Sequence, residues 1–128
     1  MIYGIGTDIV RVSRMQKNID KYGEKFPRRI LTDAELDDYA QSVRPAHFLA
    51  KRFAAKEATA KAMGIGFSQG MSLRDIGVGH DENGKPELEY FSRAKELVSK
   101  LGIGVGHISI ADEDDHAVAF VTLLEFTS

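Results

Sequence analysis

The sequence predicts an α+β fold, with an antiparallel sheet built largely from hairpins and packed against a long central helix and shorter helices. Three observations predict it. Alternating, glycine-rich segments are typical of strands, and apolar residues three and four positions apart are typical of helices. Asn83-Gly84 separates two extended runs, which is the strongest hairpin signal in the chain. Because hairpins join antiparallel strands, a doubly wound parallel sheet is not expected.

Length and composition limit the classes of protein that the chain can form. Its 128 residues, 43% of them hydrophobic, suit one domain over residues 1–128. The absence of cysteine excludes disulfides and thiolate metal sites. The N-terminal segment lacks the pattern of a signal peptide, and no apolar run approaches the ~20 residues that span a bilayer. We expect a soluble, cytoplasmic protein that does not contact a membrane.

The first 22 residues predict a strand followed by a helix. Residues 2–10 alternate between two faces, as a strand does. Residues 12–22 carry apolar side chains at helical spacing and basic side chains on the other side. The apolar stripe consists of Val12, Met15, Ile19 and Tyr22.

Two further helices are bounded by local signals. Thr32 and Glu35 form a capping-box pattern that opens a short helix. Pro45 suits the first turn of a long helix that runs through Met63 and stops at Gly64. This long helix is the predicted centre of the fold.

The second half of the chain begins with a glycine-rich loop, GIGFSQGMS, and is then dominated by strand patterns. Its predicted elements are a hairpin over residues 73–80 and 86–91, a helix capped by Ser92 and continuing to Lys100, and a hairpin over residues 106–111 and 116–126.

Glu57 is the first residue whose position calls for a chemical explanation. Leu49, Phe53 and Glu57 are spaced by fours on the long helix, and Lys61 follows one turn later, so an acid and a base continue an apolar stripe. A neighbouring row contains only alanine and permits close packing. Glu57 and Lys61 could be an ordinary exposed pair worth ~0.2–0.5 kcal/mol. Alternatively, Glu57 could be a carboxylate at the mouth of a pocket, with a cation beside it.

Asp8 is the second such residue, because aspartate is depleted in strands. It could simply cap the following helix. Together with Glu57, however, it supplies the one or two carboxylates by which proteins hold Mg²⁺ against a substrate phosphate. Lys61 would then provide a positive charge for that phosphate. Oxygen ligands accept Mn²⁺ as well as Mg²⁺.

The stretch from Arg11 to Arg29 holds seven basic residues and two acidic ones, for a net charge of +5 in a chain whose net charge is -2. Such a patch indicates an anionic partner. The patch is too small, and too poor in aromatic residues, to indicate nucleic acid. Alternatively, these basic residues could form a solvent-exposed helix face that binds no partner.

Other common catalytic patterns are missing. The sequence contains no Walker motif, nucleophile elbow or zincin helix. The four histidines, His47, His80, His107 and His116, show no metal-ligand spacing. The glycine-rich loop could offer backbone N–H groups to a phosphate, but it follows a helix, whose dipole works against an anion there.

Four segments together resemble the holo-[acyl-carrier-protein] synthases, the small phosphopantetheinyl transferases of bacterial fatty-acid synthesis. They are GIGTDIV near the N-terminus, FLAKRFAAKEATAKAMG in the middle, NGKP, and HISIADEDDHAVAFV near the end. The resemblance covers nearly the whole chain, in order and at the right spacing. The short length, with one copy of the unit, is similar to the homotrimeric type of this family.

The resemblance implies a reaction and its catalytic residues. The phosphopantetheine arm of coenzyme A is transferred to a serine of acyl carrier protein, and adenosine 3′,5′-bisphosphate is released. Asp8 and Glu57 are implied to hold Mg²⁺. Lys61 is implied to contact the phosphates and to stabilise or protonate the leaving group.

The resemblance also implies where the two substrates bind. Arg52, Lys61, Gly64, Gly66 and Pro86 would lie near coenzyme A. His107 would contact the ligand from a neighbouring subunit, because the family's sites lie between subunits. Acyl carrier proteins are acidic, so the basic residues could dock and steer one. These docking residues are Arg14, Lys17, Lys21, Lys25 and Arg28.

Two other function classes remain as alternatives. A non-catalytic module could bind acidic proteins through residues 11–29, and it predicts nothing about Asp8 or Glu57. A Mg²⁺-dependent phosphohydrolase could use the same carboxylates with water as nucleophile. The transferase takes its serine from the carrier, which agrees with the lack of a Ser-His-Asp or Cys-His arrangement. It still needs a base, for which Glu57 is a candidate.

Overall fold

The computed structural model describes residues 1–127, which form five strands and five helices. In chain order these are β1 (Ile2–Arg11), α1 (Val12–Tyr22), α2 (Lys25–Ile30), α3 (Asp33–Gln41), α4 (Pro45–Met63), β2 (Ile76–His80), β3 (Pro86–Tyr90), α5 (Ser92–Lys100), β4 (Ile103–Asp112) and β5 (His116–Glu125). A short 3-10 turn, Leu73–Asp75, precedes β2.

Both sheets are antiparallel, which confirms the predicted fold class. Three strands pair in the order β1-β5-β4, and β2 pairs with β3 in a separate hairpin. The hairpins β2-β3 and β4-β5 are the two that the sequence predicts. The pairing of β1 with β5 joins the two ends of the chain, with Asp8 opposite Ala119 in register.

The long helix α4 lies at the centre of the fold. It begins at Pro45 and ends at Met63, as predicted, and Gly64 closes it in the left-handed region at φ 84°. The predicted alanine row packs against β1. A Cβ atom at Gly4 would overlap the carbonyl oxygen of Ala62, and one at Gly6 would overlap that of Ala58. The glycines of β1 therefore allow strand and helix backbones to meet directly.

Local signals placed most helix ends correctly. The capping box at Thr32 and Glu35 is present, with the Glu35 N–H donating to Thr32 Oγ1 at 3.2 Å and the Thr32 N–H donating to Glu35 Oε1 at 2.9 Å. The prediction that Ser92 caps α5 is wrong. Ser92 is the first helical residue, and the cap position falls on Phe91, whose N–H is held by the carbonyl of Asp75 at 2.7 Å.

Helix α2 was not predicted. It has only six residues, and Pro27 lies in its first turn, where the missing N–H costs no helical hydrogen bond. So short a helix carries no periodic stripe that sequence could reveal.

The face of the three-stranded sheet that points away from α4 carries exposed apolar side chains. The strand register aligns Ile9 with Val118, and Thr7 with Phe120, on this face. The exposed apolar side chains of this outer face are Ile5, Ile9, Val105, Val118 and Phe120. Within residues 1–127, no helix has the length and apolar character needed to cross a membrane.

Candidate active site

Strand β1 turns Asp8 toward α4. Side chains alternate along a strand, so Asp8 shares its face with Gly4 and Gly6, which contact α4, and not with the outward-facing Thr7. Its side chain is only 17% exposed. The alternative prediction, that Asp8 only caps the following helix, is wrong. The cap position is Arg11, and it makes no side-chain cap bond.

Lys61 joins the last turn of α4 to this strand. Its Nζ donates to Asp8 Oδ1 at 2.9 Å and to the carbonyl oxygen of Thr7 at 3.1 Å. Lys61 is therefore paired with Asp8 rather than with Glu57, its neighbour one turn earlier. Half of the Lys61 side chain, 52%, stays exposed, so solvent or a ligand can reach the ammonium group.

Glu57 lies beside this pair and is half-buried. Burial raises the pKa of its carboxyl group, and the charge of Asp8 raises that pKa further, while Lys61 and Arg14 lower it. Asp8, Lys61 and Arg14 are therefore all near enough to Glu57 for their charges to act on its carboxyl group. The ordinary exposed Glu57–Lys61 pair, which the sequence left open, is not what forms.

Arg14 approaches the same place from α1. Its guanidinium lies over the ring of Phe53, 5.2 Å from the ring centre, one turn before Glu57 on α4. The remaining basic residues continue away from the site along α1 and α2, all of them exposed. They are Lys17, Lys21, Lys25 and Arg28. Sequence reasoning had assigned Arg14 to partner docking alone, and its proximity to Glu57 is visible only in the fold.

Pro86 and His107 lie close to each other but away from Asp8, Glu57 and Lys61. They line an open cavity of about 330 Å³ at the junction of β3 and β4, together with Lys85 and Asp81. His107 is opposite Thr122, which is opposite Ile5, so its side chain belongs to the outer face of the sheet. In one chain, Asp8 therefore lies on the face of the sheet that meets α4, and His107 lies on the opposite face.

Arg52 and the two loop glycines have clear structural surroundings. The Arg52 side chain is buried, with Nε 3.6 Å from Glu35 Oε2 and its guanidinium over the Phe48 ring. Gly64 and Gly66 both have positive φ angles, 84° and 59°, and allow the chain to leave α4 beside Lys61. Contacts of these three residues with coenzyme A remain predictions.

A buried ion pair beneath α4 was not predicted from the sequence. Lys56 is fully buried, and its Nζ lies 2.7 Å from Glu35 Oε1. The signal that could have revealed it is a lysine among buried alanines, one residue before Glu57 on the same helix.

The residues around Asp8 could supply some, but not all, of the ligands of a metal ion. In residues 1–127, no cluster of three or more His, Asp or Glu side chains could enclose a metal ion. Asp8 and Glu57 offer two carboxylates, and because their like negative charges repel each other, a divalent cation between them would be favourable. Mg²⁺ suits such a site, since it commonly takes its other ligands from water and substrate phosphates.

Comparison with known proteins supplies further information on the chain. The family model of the 4′-phosphopantetheinyl transferase superfamily matches residues 4–121. A holo-[acyl-carrier-protein] synthase of Nitrosococcus oceani is 60% identical over 124 residues, which are 97% of this chain and 80% of that protein.

Two solved structures share the fold. The holo-[acyl-carrier-protein] synthase of Neisseria meningitidis is 46% identical, with a TM-score of 0.93 over 98% of this chain and 100% of that one. The corresponding synthase of Bacillus anthracis, solved in complex with CoA (3′,5′-ADP), is 38% identical, with a TM-score of 0.81 over 99% of each chain.

Proposed function

The chain belongs to the holo-[acyl-carrier-protein] synthases of the 4′-phosphopantetheinyl transferase superfamily, and we propose that Asp8, Glu57 and Lys61 form its active site. The enzyme transfers 4′-phosphopantetheine from coenzyme A to a serine of apo acyl carrier protein. The observation that carries the proposed site is the meeting of two carboxylates, from β1 and α4, beside the partly exposed ammonium of Lys61.

The reaction replaces the phosphoanhydride bond of the coenzyme A pyrophosphate by a phosphate ester bond to serine. The serine oxygen attacks the phosphorus that carries the pantetheine arm, while the bond from that phosphorus to the bridging oxygen breaks. Adenosine 3′,5′-bisphosphate leaves with the bridging oxygen, and the serine proton must be accepted by a base. Such transfers depend mainly on positioning and on charge stabilisation.

The side chains of the site suit these tasks. Lys61 presents a fixed positive charge to the pyrophosphate and its leaving oxygen. Glu57 is the candidate base that accepts the serine proton. Asp8 and Glu57 would hold Mg²⁺, or Mn²⁺ in its place, which neutralises charge on the pyrophosphate when bound.

A homotrimer would complete this site. The exposed apolar outer face of the sheet is the kind of surface that associating proteins cover. His107 lies on the outer face of the sheet, away from Asp8, and Pro86 lies beside it, so both could reach the ligand of an Asp8 in another subunit. Closed assembly of subunits through this face would bring His107 and Pro86 to a neighbouring active site. There we propose that they bind coenzyme A together with Arg52, Gly64 and Gly66.

The carrier would dock on α1 and α2. Their exposed basic residues form a row that begins with Arg14, beside Glu57, so an acidic partner bound there would lie next to the reacting atoms. Lys17 and Lys21 continue the row along α1. The cytoplasmic location expected from the sequence stays a prediction.

Mass spectrometry of the carrier tests the transfer. The chain is incubated with apo acyl carrier protein, coenzyme A and Mg²⁺, with a parallel sample in EDTA. We expect the carrier to gain the mass of phosphopantetheine only in the sample with metal. Unchanged carrier mass would contradict the transfer, and full gain in EDTA would contradict the metal site.

Mixed subunits test whether the site is shared. Chains with Asp8→Asn and chains with His107→Ala are co-expressed with different tags, and mixed assemblies are purified. We expect them to transfer better than either variant alone, because some interfaces pair an intact Asp8 with an intact His107. Activity no greater than that of the separate variants would place the whole site in one chain.

A further inference from the structure

We propose that Lys56 is a positioning residue. Together with Glu35 it sets the rotation of α4 about its axis, and so places Glu57 and Lys61 opposite Asp8. The inference rests on the proposed active site and concerns a side chain that touches neither the substrate nor the metal.

Apolar packing alone defines the rotation of α4 poorly. Most of the helix is buried, and its buried residues are spread around its whole circumference. Seven of them are alanines, whose single methyl groups give a smooth surface with little relief. They are Ala46, Ala50, Ala54, Ala55, Ala58, Ala60 and Ala62. Something other than side-chain shape must therefore fix the angle.

Lys56 provides a directional attachment. The side chain is 0% exposed, and its Nζ donates three hydrogen bonds, as many as an ammonium group can. The acceptors are Glu35 Oε1 at 2.7 Å, the Leu73 carbonyl at 3.1 Å and the Ile76 carbonyl at 2.6 Å. The helix is thereby attached to α3, to the 3-10 turn and to β2.

Glu35 fixes the other half of the pair. It is 2% exposed and accepts the N–H of Thr32 at Oε1 and the N–H of Val78, at 3.0 Å, at Oε2. The carboxylate is thus held by backbone on two elements before Lys56 reaches it. The acid and the base could not exchange positions, because the backbone offers N–H donors around Glu35 and carbonyl acceptors around Lys56.

The attachment lies on the opposite side of α4 from β1. Successive residues of a helix are about 100° apart, so Lys56 and Ala58 point in directions about 200° apart. Ala58 meets Gly6 of β1, while Lys56 is bound to Glu35. Glu57 lies about 100° from each of them. The helix is held on two sides, and the catalytic row lies between them.

Small rotations of α4 matter for the reaction. A carboxylate ~6 Å from the helix axis moves by about 1 Å when the helix turns by about 10°. A misplacement of that size can cost about 10²-fold in rate. Buried ion pairs contribute little to stability when compared with apolar replacements, so stability alone does not account for this one.

Lys56→Met tests the inference, with Leu97→Ala as a matched control. Leu97 is fully buried on α5, so its truncation lowers stability without touching α4's attachment. For each folded chain, kcat is measured, KM for the carrier is measured, and Mn²⁺ affinity is measured by electron paramagnetic resonance. All assays run at least about 15 °C below the melting temperature of each variant, so that unfolding does not contribute.

We expect Lys56→Met to lower kcat at least tenfold and to weaken Mn²⁺ binding several-fold, with KM for the carrier within about twofold of wild type. Leu97→Ala should keep kcat and Mn²⁺ affinity near the wild-type values. Glu35→Gln, which preserves shape but removes the charge, should shift both quantities in the same direction as Lys56→Met, and it serves if Lys56→Met does not fold.

Two results would separate the inference from its premise. Lys56→Met or Glu35→Gln chains that behave like Leu97→Ala would overturn the positioning role while leaving the active site intact. A wild-type chain that transfers phosphopantetheine but binds no Mn²⁺, or an active Asp8→Asn chain, would overturn the proposed active site itself.

Discussion

Lys61 Nζ lies 2.9 Å from Asp8 Oδ1, joining residues 53 positions apart in the chain. The contact holds the Asp8 carboxylate against α4, next to Glu57. It also means that the cation expected at the phosphates and the acid expected at the metal belong to one hydrogen-bonded unit.

Asp8→Asn should abolish most of the transfer activity and leave the fold intact. The amide has the shape of the carboxylate but lacks its charge, so both the pairing with Lys61 and the attraction for a divalent cation are lost. We expect kcat to fall by about 10²-fold or more. Carrier mass spectrometry and thermal melting measure the two effects. Asp37→Asn, an exposed change on α3, is the control and should leave activity unchanged.

Gly6→Ala should destabilise the chain. The added Cβ would overlap the carbonyl oxygen of Ala58 and lie 2.7 Å from the nitrogen of Ala62, so β1 must move away from α4. Overpacking of this kind costs about 1–3 kcal/mol of unfolding free energy. Gly79→Ala is the matched change, since the nearest atoms to its Cβ, at 3.2 Å, belong to the flexible Glu89 carboxylate. Equal urea midpoints for the two variants would contradict the direct contact of strand and helix.

Tyr90→Phe should remove a loss of stability at alkaline pH. Burial raises the pKa of the Tyr90 hydroxyl from 10.0 to about 12, and this hydroxyl has no hydrogen-bond partner in the part of the chain that the structure describes. Between these values the unfolded chain releases the proton while the folded chain keeps it. Stability therefore falls as pH rises from about 10 to 12, by about 2–3 kcal/mol.

Urea unfolding at pH 8 and pH 11 measures this effect. The Tyr90→Phe chain should match or exceed the wild-type stability at pH 8, because an unpaired buried hydroxyl is removed. Its advantage should grow at pH 11. Tyr22→Phe alters an exposed tyrosine and should show no such growth. A Tyr90→Phe advantage that is the same at both values would refute the assignment.

Lys17→Glu and Lys21→Glu should slow association with the carrier. Both side chains are exposed on α1, away from the carboxylates, so they test docking more cleanly than Arg14. We expect kcat/KM for the carrier to fall about tenfold at low ionic strength and less at high salt, where charges are screened. KM for coenzyme A should not change. Lys95→Glu, exposed on α5, provides the control, and an equal loss there would dismiss the docking surface.

Phe120→Asp should dissociate the proposed trimer. Phe120 is 49% exposed in the middle of the outer face, where a charge would oppose burial against another subunit. Light scattering should give about three times the chain mass of 14.1 kDa for wild type and a single chain mass for the variant, with transfer lost as well. Val43→Asp, at a residue 95% exposed elsewhere, should stay trimeric. A monomeric wild type would end the proposal.

The predictable part of the molecule depends on short-range chemistry. Pro45 and Gly64 bound α4, and Thr32 with Glu35 opens α3, because caps and turns involve residues only a few positions apart. Neither α2 nor the start of α5 was predicted correctly. A six-residue helix shows no period, and Phe91, the cap residue of α5, donates its N–H to the carbonyl of the distant Asp75, a contact that local sequence cannot show.

The chemistry of the site could be anticipated only in part. The residue types and the family resemblance single out Asp8, Glu57 and Lys61. The orientation of β1 could not be anticipated. Its isoleucines point outward, while its glycines and Asp8 face the helix. Strand alternation separates two faces, but it does not say which face meets the core.

Packing of distant segments decided the rest. Lys61 pairs with Asp8, Arg14 lies over Phe53, Lys56 is bound to Glu35, and His107 is on the other face from Asp8. Each of these relations joins elements that are separate in sequence. Helix and strand periods follow from local backbone geometry, whereas the partner of a side chain follows from how whole elements bury their surfaces against one another.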